Sequence, residues 1–184
     1  MYMVDKTREK ILDAALKIFA EKGYKGATTR GIAAEAGVNN STLYRKFKTK
    51  ENLFNQVLVR NNERMIKDID SIIIDKKFNT PRDFLENLIR NVIKVAEDNY
   101  EHIRLTMNEG SRTSENIMGK FVAHFSKYVE ENIPNKEINY PVFLMAVTAF
   151  VYLIINDKHQ GRLIVNHDEI IEIFIDNTAI CFRD

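Results

Sequence analysis

The stretch from Asn39 to Phe47 combines two kinds of side chain that bind nucleic acids. Its first part, from Asn39 to Thr42, carries short side chains that donate and accept hydrogen bonds, and its second part carries Tyr44, Arg45 and Lys46. Short polar side chains at the start of a helix can approach base edges, and cations and phenols bind phosphate oxygens. In this position the pattern favours DNA contact over an ordinary polar surface helix.

Patterns that would indicate catalysis or metal binding do not occur in the sequence. There is no Gly-x-Ser-x-Gly elbow, no phosphate-binding glycine-rich loop and no His-Glu-x-x-His motif. The histidines at 102, 124, 159 and 167 are scattered, and Cys181 is the single cysteine. We therefore predict no enzyme activity, no catalytic residues, no metal site and no cofactor.

The elements on either side of this stretch indicate a helix-turn-helix. The apolar spacing from Ile11 to Phe19 predicts an amphipathic first helix that ends at Gly23. Thr28 and Thr29 supply an N-cap for a short second helix, which Gly37 ends. Asn39 is the predicted N-cap of a third helix to about Phe47. Two short helices joined by a tight glycine turn are typical of a motif whose second helix enters the major groove.

The composition favours an all-helical protein, and the charge distribution favours an N-terminal part that binds a polyanion. The 184 residues are 45% hydrophobic and 29% charged, with only seven glycines and three prolines. Residues 1–60 hold twelve Lys/Arg and six Asp/Glu, a net of +6, and the remaining fifteen and twenty give −5. The charged N-terminus lacks an apolar secretory core, so we expect a cytoplasmic protein.

Residues Thr7 to Leu58 resemble the DNA-binding domain of the tetracycline-repressor (TetR) family of regulators. The matching segments are Ile11-Leu12-Asp13-Ala14-Ala15, Phe19, Gly23-Tyr24, Thr28-Thr29, Ile32-Ala33, Ala36-Gly37-Val38, Thr42-Leu43-Tyr44, Phe47, Lys50-Glu51 and Leu53. One departure is Asn39-Asn40-Ser41, where the family often has a serine first and a glycine at or near the third position. The resemblance predicts the fold, and the departure bears on the base preference.

The resemblance implies a set of DNA-binding residues. Thr29 would touch a phosphate, and Arg30 would lie at the groove. Asn40, Ser41 and Thr42 would read bases, with Arg45 close to them, and Tyr44, Lys46 and Lys50 would anchor phosphates. Leu43 and Phe47 are expected in the core. Each base reader should be worth about 1–3 kcal/mol of discrimination, whereas a phosphate anchor weakens all sequences alike when it is lost.

The rest of the chain predicts a larger helical domain. We place a helix-turn-helix domain at residues 1–50 and a helical effector-binding and dimerisation domain at 51–184. Predicted helices run from Thr49 to about Ile74, from Pro81 past Val95, near Tyr100 to Glu109, from about Thr113 to Asn132, from Pro141 to Ile155 and from about His167 to Phe182. Thr80 is the predicted N-cap of the helix that begins at Pro81.

The apolar helix predicted from Val142 to Ile155 is too short to span a membrane. Its side chains are apolar on every side, so every side should be covered by other parts of the protein. Core on one side and a second subunit on the other would cover it. The resemblance implies the same arrangement, a homodimer through helices near 141–156 and 167–182. Such a dimer would match a pseudo-palindromic operator in double-stranded DNA.

Family members commonly bind a small molecule among their middle helices, and we expect a small apolar or aromatic effector. The candidate ligand-binding residues are Tyr100, Arg104, Met107, Asn108, Phe121, His124, Phe125, Tyr128 and Phe150. For the aromatic residues, plain core packing is the competing interpretation. The sequence thus predicts a ligand-responsive repressor. The alternative is a TetR-like protein whose C-terminal domain recruits a protein partner.

Overall fold

The computed structural model describes residues 5–73, 78–109, 117–161 and 166–182, and these residues form helices without strands. The helices are α1 (Lys6–Gly26), α2 (Thr29–Glu35), α3 (Asn40–Phe47), α4 (Lys50–Ile73), α5 (Pro81–Asp98), α6 (Tyr100–Glu109), α7 (Ile117–Asn132), α8 (Tyr140–Gln160) and α9 (His167–Ile180). The all-α prediction is confirmed.

The predicted helix ends agree with the structure, with a few differences. At Gly23, the predicted end of the first helix, the backbone leaves helical geometry (φ +66°, ψ 172°) and α1 kinks, and helical residues resume after it up to Gly26. Helix α8 begins at Tyr140 and extends to Gln160, five residues beyond the predicted end. Helix α9 ends at Ile180, two residues early. Thr113, the predicted start of α7, lies outside the described residues.

The described chain divides into two compact units. The first comprises the residues up to Arg64 together with α6, and the second comprises Met65–Asn99 together with the residues from α7 onward. The units do not coincide with a division after residue 50. The first half of α4 packs with the N-terminal helices, and the chain returns to the first unit at Tyr100. The functional boundary at 50/51 stays a prediction.

An aromatic cluster forms the centre of the first unit. Phe19, Tyr24 and Phe54 lie within 6.0 Å of one another between ring centroids, and Phe54 meets both other rings edge-on. Ile11, Leu12 and Leu58, along with other aliphatic side chains of α1 and α4, complete the core. Edge-on ring pairs stabilise beyond the area they bury, so this cluster holds α4 against α1.

A second feature of the first unit is a buried histidine. His102 on α6 is 2% exposed, and its Nδ1 atom has no hydrogen-bond partner among the described residues. Burial, and secondly the Arg60 guanidinium, lowers the pKa of His102 to about 4. The imidazole is therefore neutral near pH 7.

In the second unit α5 packs against both α8 and α9, and α7 packs against α8. Phe84 lies 5.7 Å from the Tyr128 ring, and burial raises the pKa of the Tyr128 phenol. Arg82 on α5 reaches Glu172 at 3.0 Å and Asp176 at 2.7 Å on α9, and Arg90 also pairs with Glu172. Thr80 caps α5 as predicted, since its hydroxyl accepts from the Asp83 amide at 3.1 Å.

Helix α8 is long and apolar enough to cross a membrane by length and composition alone. Its apolar side chains divide between two environments. Leu144, Val147, Val151 and Ile155 are buried, whereas Val142, Met145 and Leu153 are 61–64% exposed. The exposed side chains leave one face of α8 without a covering partner in the described chain.

Candidate nucleic-acid interface

The helix α3 carries its polar side chains opposite a buried apolar pair. Leu43 and Phe47 are 2% and 0% exposed, and they hold α3 against the core of the first unit. Because a helix repeats every 3.6 residues, this leaves Ser41, Tyr44 and Arg45 on the outer side, where all three are exposed. Tyr44 is 63% exposed, so its phenol is open to solvent on this side of α3.

The turn that precedes α3 is built as predicted. The Thr28 hydroxyl accepts from the Gly31 amide at 3.1 Å and caps α2, and Ile32 and Ala33 are buried. Gly37 adopts φ +66°, and the Val38 amide donates to the Ala33 carbonyl at 2.9 Å. A left-handed residue at this position turns the chain directly into α3.

Asn39 occupies the N-cap position of α3, but its side chain makes no capping hydrogen bond. The predicted capping role of this side chain is therefore wrong. The Asn39 carbonyl accepts from the amides of Thr42 and Leu43 at 2.9 and 3.3 Å, so the main chain starts the helix without help from the side chain. The amide group of Asn39 is exposed beside the predicted base readers.

The predicted DNA-binding residues differ in their exposure and in their contacts. Arg30, Asn40, Ser41 and Arg45 are exposed, and their side chains form no hydrogen bond or ion pair within the described residues. Thr29 and Thr42 are half-buried. In contrast, the ammonium groups of Lys46 and Lys50 have partners within the first unit. All nine predicted residues lie in this unit, and their contact with DNA stays a prediction.

Lys46 is paired with an acidic residue at the start of α1. Its Nζ atom lies 2.5 Å from Asp5 Oδ2, while Asp5 Oδ1 accepts from the Arg8 amide at 3.0 Å and caps α1. The hydrogen bond from Lys46, followed by that from the Arg8 amide, lowers the pKa of Asp5. The side chains of Lys46 and Asp5 are 21% and 47% exposed. Sequence spacing gives no sign of this pair.

Lys50 holds the connection between α1 and α2. Its Nζ atom donates to the carbonyls of Tyr24 and Ala27 at 2.9 and 3.0 Å and lies 4.4 Å from the centre of the Tyr24 ring. A cation at the first turn of α4 opposes the helix dipole, and carbonyls near the C-terminus of α1 offset this cost. Lys50 thus stabilises the segment that leads into α2.

Two side chains of α6 bind the same end of α1. Arg104 donates to the Ala20 carbonyl, and the Tyr24 amide donates to Glu109 Oε1 at 3.2 Å. These contacts satisfy backbone groups next to the kink at Gly23, where the helix leaves them unpaired. Helix α6 is therefore part of the scaffold that positions the helix-turn-helix, a role that sequence reasoning missed.

Helix α4 is tied to α1 by a charged cluster, which sequence reasoning also missed. Arg60 pairs with Glu9 at 3.1 Å and with Asp13 at 2.7 Å, and Arg64 pairs with Glu9 at 2.7 Å. The side chain of Arg60 is 12% exposed, and its Nε atom has no partner among the described residues. These acids lie on the predicted polar face of α1, so their partners were not visible from helical spacing alone.

The candidate effector residues are divided between the two units. Tyr100, Arg104, Met107 and Asn108 lie on α6 in the first unit, and Arg104 lies 5.8 Å from the centre of the Tyr100 ring. The other five, on α7 and α8, lie in the second unit.

Within the second unit the rings of Phe121 and Phe125 are 4.7 Å apart, and His124 meets Phe125 edge-on at 4.8 Å. His124 also binds Asp70 Oδ1 at 2.9 Å. Phe150 stacks instead on Phe174 of α9, at 3.8 Å between ring centres.

Two clefts of the second unit are lined by other residues. One, of about 250 Å³, lies where the start of α5 meets the ends of α7 and α9 and includes Phe78, Asn132 and Phe182. The other, of about 150 Å³, lies beside Lys158, which pairs with Glu97 at 2.7 Å, and His167. Neither contains a predicted effector residue. Within the described ranges no group of three His, Cys, Asp or Glu side chains could hold a metal ion.

Exposed apolar side chains occur together on α8 and α9. Val142, Met145 and Leu153 on α8 and Ile173 and Ile180 on α9 are each more than half exposed. These are the two helices in which the sequence predicts a subunit interface.

Residues 11–57 match the family model described as bacterial regulatory proteins, tetR family. The chain is 42% identical over 52 residues to the uncharacterized HTH-type transcriptional regulator YvkB of Bacillus subtilis, a match that covers 28% of each chain. It is 26% identical over 121 residues to the HTH-type transcriptional repressor AcnR of Corynebacterium glutamicum, covering 65% of this chain and 58% of AcnR. The chain thus spans about a quarter to three fifths of the length of these two curated relatives.

Solved structures extend the likeness to the whole fold. The fatty acid degradation regulator FadR from Bacillus halodurans superposes with a TM-score of 0.77 at 14% identity, covering 97% of both chains. FadR from Bacillus subtilis in complex with stearoyl-CoA gives a TM-score of 0.71 at 16% identity, covering 93% of this chain and 97% of that one. Residues 11–57 therefore match the tetR family of bacterial regulatory proteins, and the described chain has the fold of TetR-like regulators.

Proposed function

We propose that this protein is a sequence-specific DNA-binding transcriptional regulator, and specifically a ligand-responsive repressor that acts in the cytoplasm. The observation that carries the proposal is the outer face of α3, where exposed polar side chains lie opposite the buried Leu43 and Phe47. The TetR-family match and the likeness to a named repressor support it.

In this proposal α3 enters the major groove. Asn40, Ser41 and Thr42 read base edges, and the amide of Asn40 suits N6 and N7 of adenine. Arg30 and Arg45 lie close to the groove, with free guanidinium groups that suit guanine or phosphate. Thr29, Tyr44, Lys46 and Lys50 contact phosphates and set register and affinity.

The deciding experiment is operator binding by the purified protein across several salt concentrations. DNA from upstream of its own gene is compared with random-sequence DNA, and Asn40→Ala and Thr42→Ala are compared with Lys127→Ala on α7 as a control. We expect a palindromic site and a steep salt dependence. The two α3 variants should lose discrimination at particular bases while Lys127→Ala binds normally. Equal, weak binding to both DNAs would refute the sequence-specific regulator.

We further propose that the protein binds DNA as a homodimer through α8 and α9. The exposed apolar side chains of both helices support this, because a second copy would remove them from water. Leu153→Glu, at a site that is 64% exposed, should convert the dimer to monomers in sedimentation experiments. Lys127→Glu, whose side chain is 79% exposed, is the control for added charge. A dimer that persists in Leu153→Glu would place the interface elsewhere.

We propose a small apolar or aromatic effector that acts by a population shift. It would bind preferentially to a spacing of the two DNA-binding heads that no longer matches successive major grooves, and operator affinity would fall. The complex of Bacillus subtilis FadR with stearoyl-CoA is compatible with an apolar effector, although at 16% identity it shows only the shared fold. Thermal-shift screening of fatty acids, acyl-CoA esters and aromatic acids tests the proposal, and a hit must also release operator DNA.

A further inference from the structure

Lys46 differs from the other predicted DNA contacts because its side chain is already bound to a carboxylate. Its ammonium group lies 2.5 Å from Asp5 Oδ2, although 41 positions separate the two residues in the sequence. Arg30 and Arg45 form no such pair within the described residues. Among the predicted DNA-binding cations, Lys46 is therefore the one that pairs with a carboxylate in the part of the chain that the structure describes.

Asp5 is well placed to hold Lys46, since its two oxygens have different partners. Oδ1 accepts from the Arg8 amide at 3.0 Å and so keeps the carboxylate at the N-cap of α1. Oδ2 is left for Lys46. Arg8 itself lies over the Phe47 ring at 5.8 Å and donates to Gln56 at 2.6 Å, so its guanidinium is occupied elsewhere.

A phosphate oxygen and a carboxylate oxygen bind an ammonium group in the same way, and one charge cannot be given fully to both. We propose that the Asp5 carboxylate competes with the DNA backbone for Lys46 and thereby lowers the affinity of the DNA-binding head. The inference rests on the proposed function in that it needs α3 to bind DNA. It assigns to Asp5, outside the residues that contact DNA, the role of limiting how tightly the head binds.

The competition has two parts of the same sign. A phosphate must either draw Lys46 away from Asp5 or share its ammonium group with the carboxylate, and either weakens the ion pair. Asp5 then remains as a negative charge close to the phosphate backbone and repels it. Both effects disappear when the carboxylate is neutralised.

The test is Asp5→Asn, because asparagine caps a helix as well as aspartate does but carries no charge. We expect Asp5→Asn to bind DNA about two- to five-fold more tightly than the wild type for each subunit that contacts DNA, which is the size of effect that one exposed charge pair has. Asp5→Ser, another good N-cap, serves if the first variant folds poorly. Circular dichroism checks that each variant keeps its helix content.

Glu35→Gln is the matched control for net charge. Glu35 lies at the end of α2 in the same unit and pairs with Lys17 at 2.7 Å, so the change removes one negative charge and leaves Lys46 on Asp5. Lys46→Met completes a double-mutant cycle. In that background Asp5→Asn should lose the part of its gain that comes from releasing Lys46 and keep only the part that comes from repulsion between Asp5 and the phosphates, because the carboxylate no longer has a cation to hold.

Equal affinities for the wild type and Asp5→Asn would overturn the proposal. So would an equal gain in Glu35→Gln, or a gain that persists in full with Lys46→Met. Random-sequence DNA is measured in parallel, because phosphate contacts do not depend on sequence. If Asp5→Asn binds both DNAs more tightly but neither the variant nor the wild type prefers the operator, the competition for Lys46 is supported and the sequence-specific regulator is refuted. If the operator is preferred but Asp5→Asn binds no more tightly than the wild type, the regulator is supported and the competition is refuted. Absence of DNA binding by every variant would refute both.

Discussion

The buried histidine of the first unit predicts a specific dependence of stability on pH. His102 is 2% exposed, and burial together with Arg60 lowers its pKa to about 4, from 6.5 in an exposed histidine. Between these values the unfolded chain holds a proton on the ring that the folded chain does not. The free energy of unfolding is therefore highest, as far as His102 is concerned, above about pH 6.5, and it falls as the pH drops towards 4. At ~1.4 kcal/mol per pH unit, the loss is about 3 kcal/mol.

The assay compares urea unfolding of the wild type and His102→Gln from about pH 7.5 to about pH 4.5 at one protein concentration. Carboxylates also take up protons in this range, so the quantity of interest is the difference between the two curves. The wild type should lose about 3 kcal/mol more than the variant, whatever the variant costs at neutral pH. His124→Gln, at a side chain that is 47% exposed, is the control. Parallel curves for the wild type and His102→Gln would refute the reasoning.

Three further predictions concern the scaffold, and urea unfolding near pH 7 measures each. Gly23→Ala should cost about 1–3 kcal/mol, because φ +66° with ψ 172° is a conformation essentially restricted to glycine and an added Cβ would meet Glu109 Oε1 at 3.2 Å; equal stability of Gly23→Ala and the wild type would contradict the kink. Phe54→Ala should cost about 3–5 kcal/mol by emptying the aromatic cluster, and a cost below ~1 kcal/mol would mean the rings do not support α4. Thr28→Ala should cost about 1 kcal/mol whereas Asn39→Ala costs only a few tenths, since only the threonine caps its helix; the reverse order would restore the capping role of Asn39.

Local signals in the sequence predicted most of the fold. Apolar spacing located the helices, and Thr28, Gly37 and Thr80 marked ends that the structure has at the same positions. Each of these signals acts within a few residues of its partner, which is why spacing alone reveals it. The cap predicted for Asn39 failed because the backbone carbonyl alone accepts the first amides of α3.

The contacts that position the candidate interface could not be predicted in this way. Lys46 meets Asp5 41 positions away, and Arg104 meets the Ala20 carbonyl 84 positions away. A long cation on a helix face has many partners within reach, and only the packed structure decides which one it meets. The same holds for Lys50, where carbonyls rather than an acid accept the hydrogen bonds.

The return of α6 to the first unit has a consequence for synthesis of the protein. The family match ends at residue 57, yet the Ala20 carbonyl and the Tyr24 amide take partners from Arg104 and Glu109. On the ribosome the helix-turn-helix is synthesised early. The contacts that α6 makes with the end of α1 can form only after about fifty residues beyond residue 57 have been added and α6 has left the exit tunnel. A nascent chain truncated before α6 should expose α1 to protease at Gly23, and protection should begin only once Glu109 has emerged. The first unit, which we propose binds DNA, is thus completed by a segment made well after residues 11–57, which match the family.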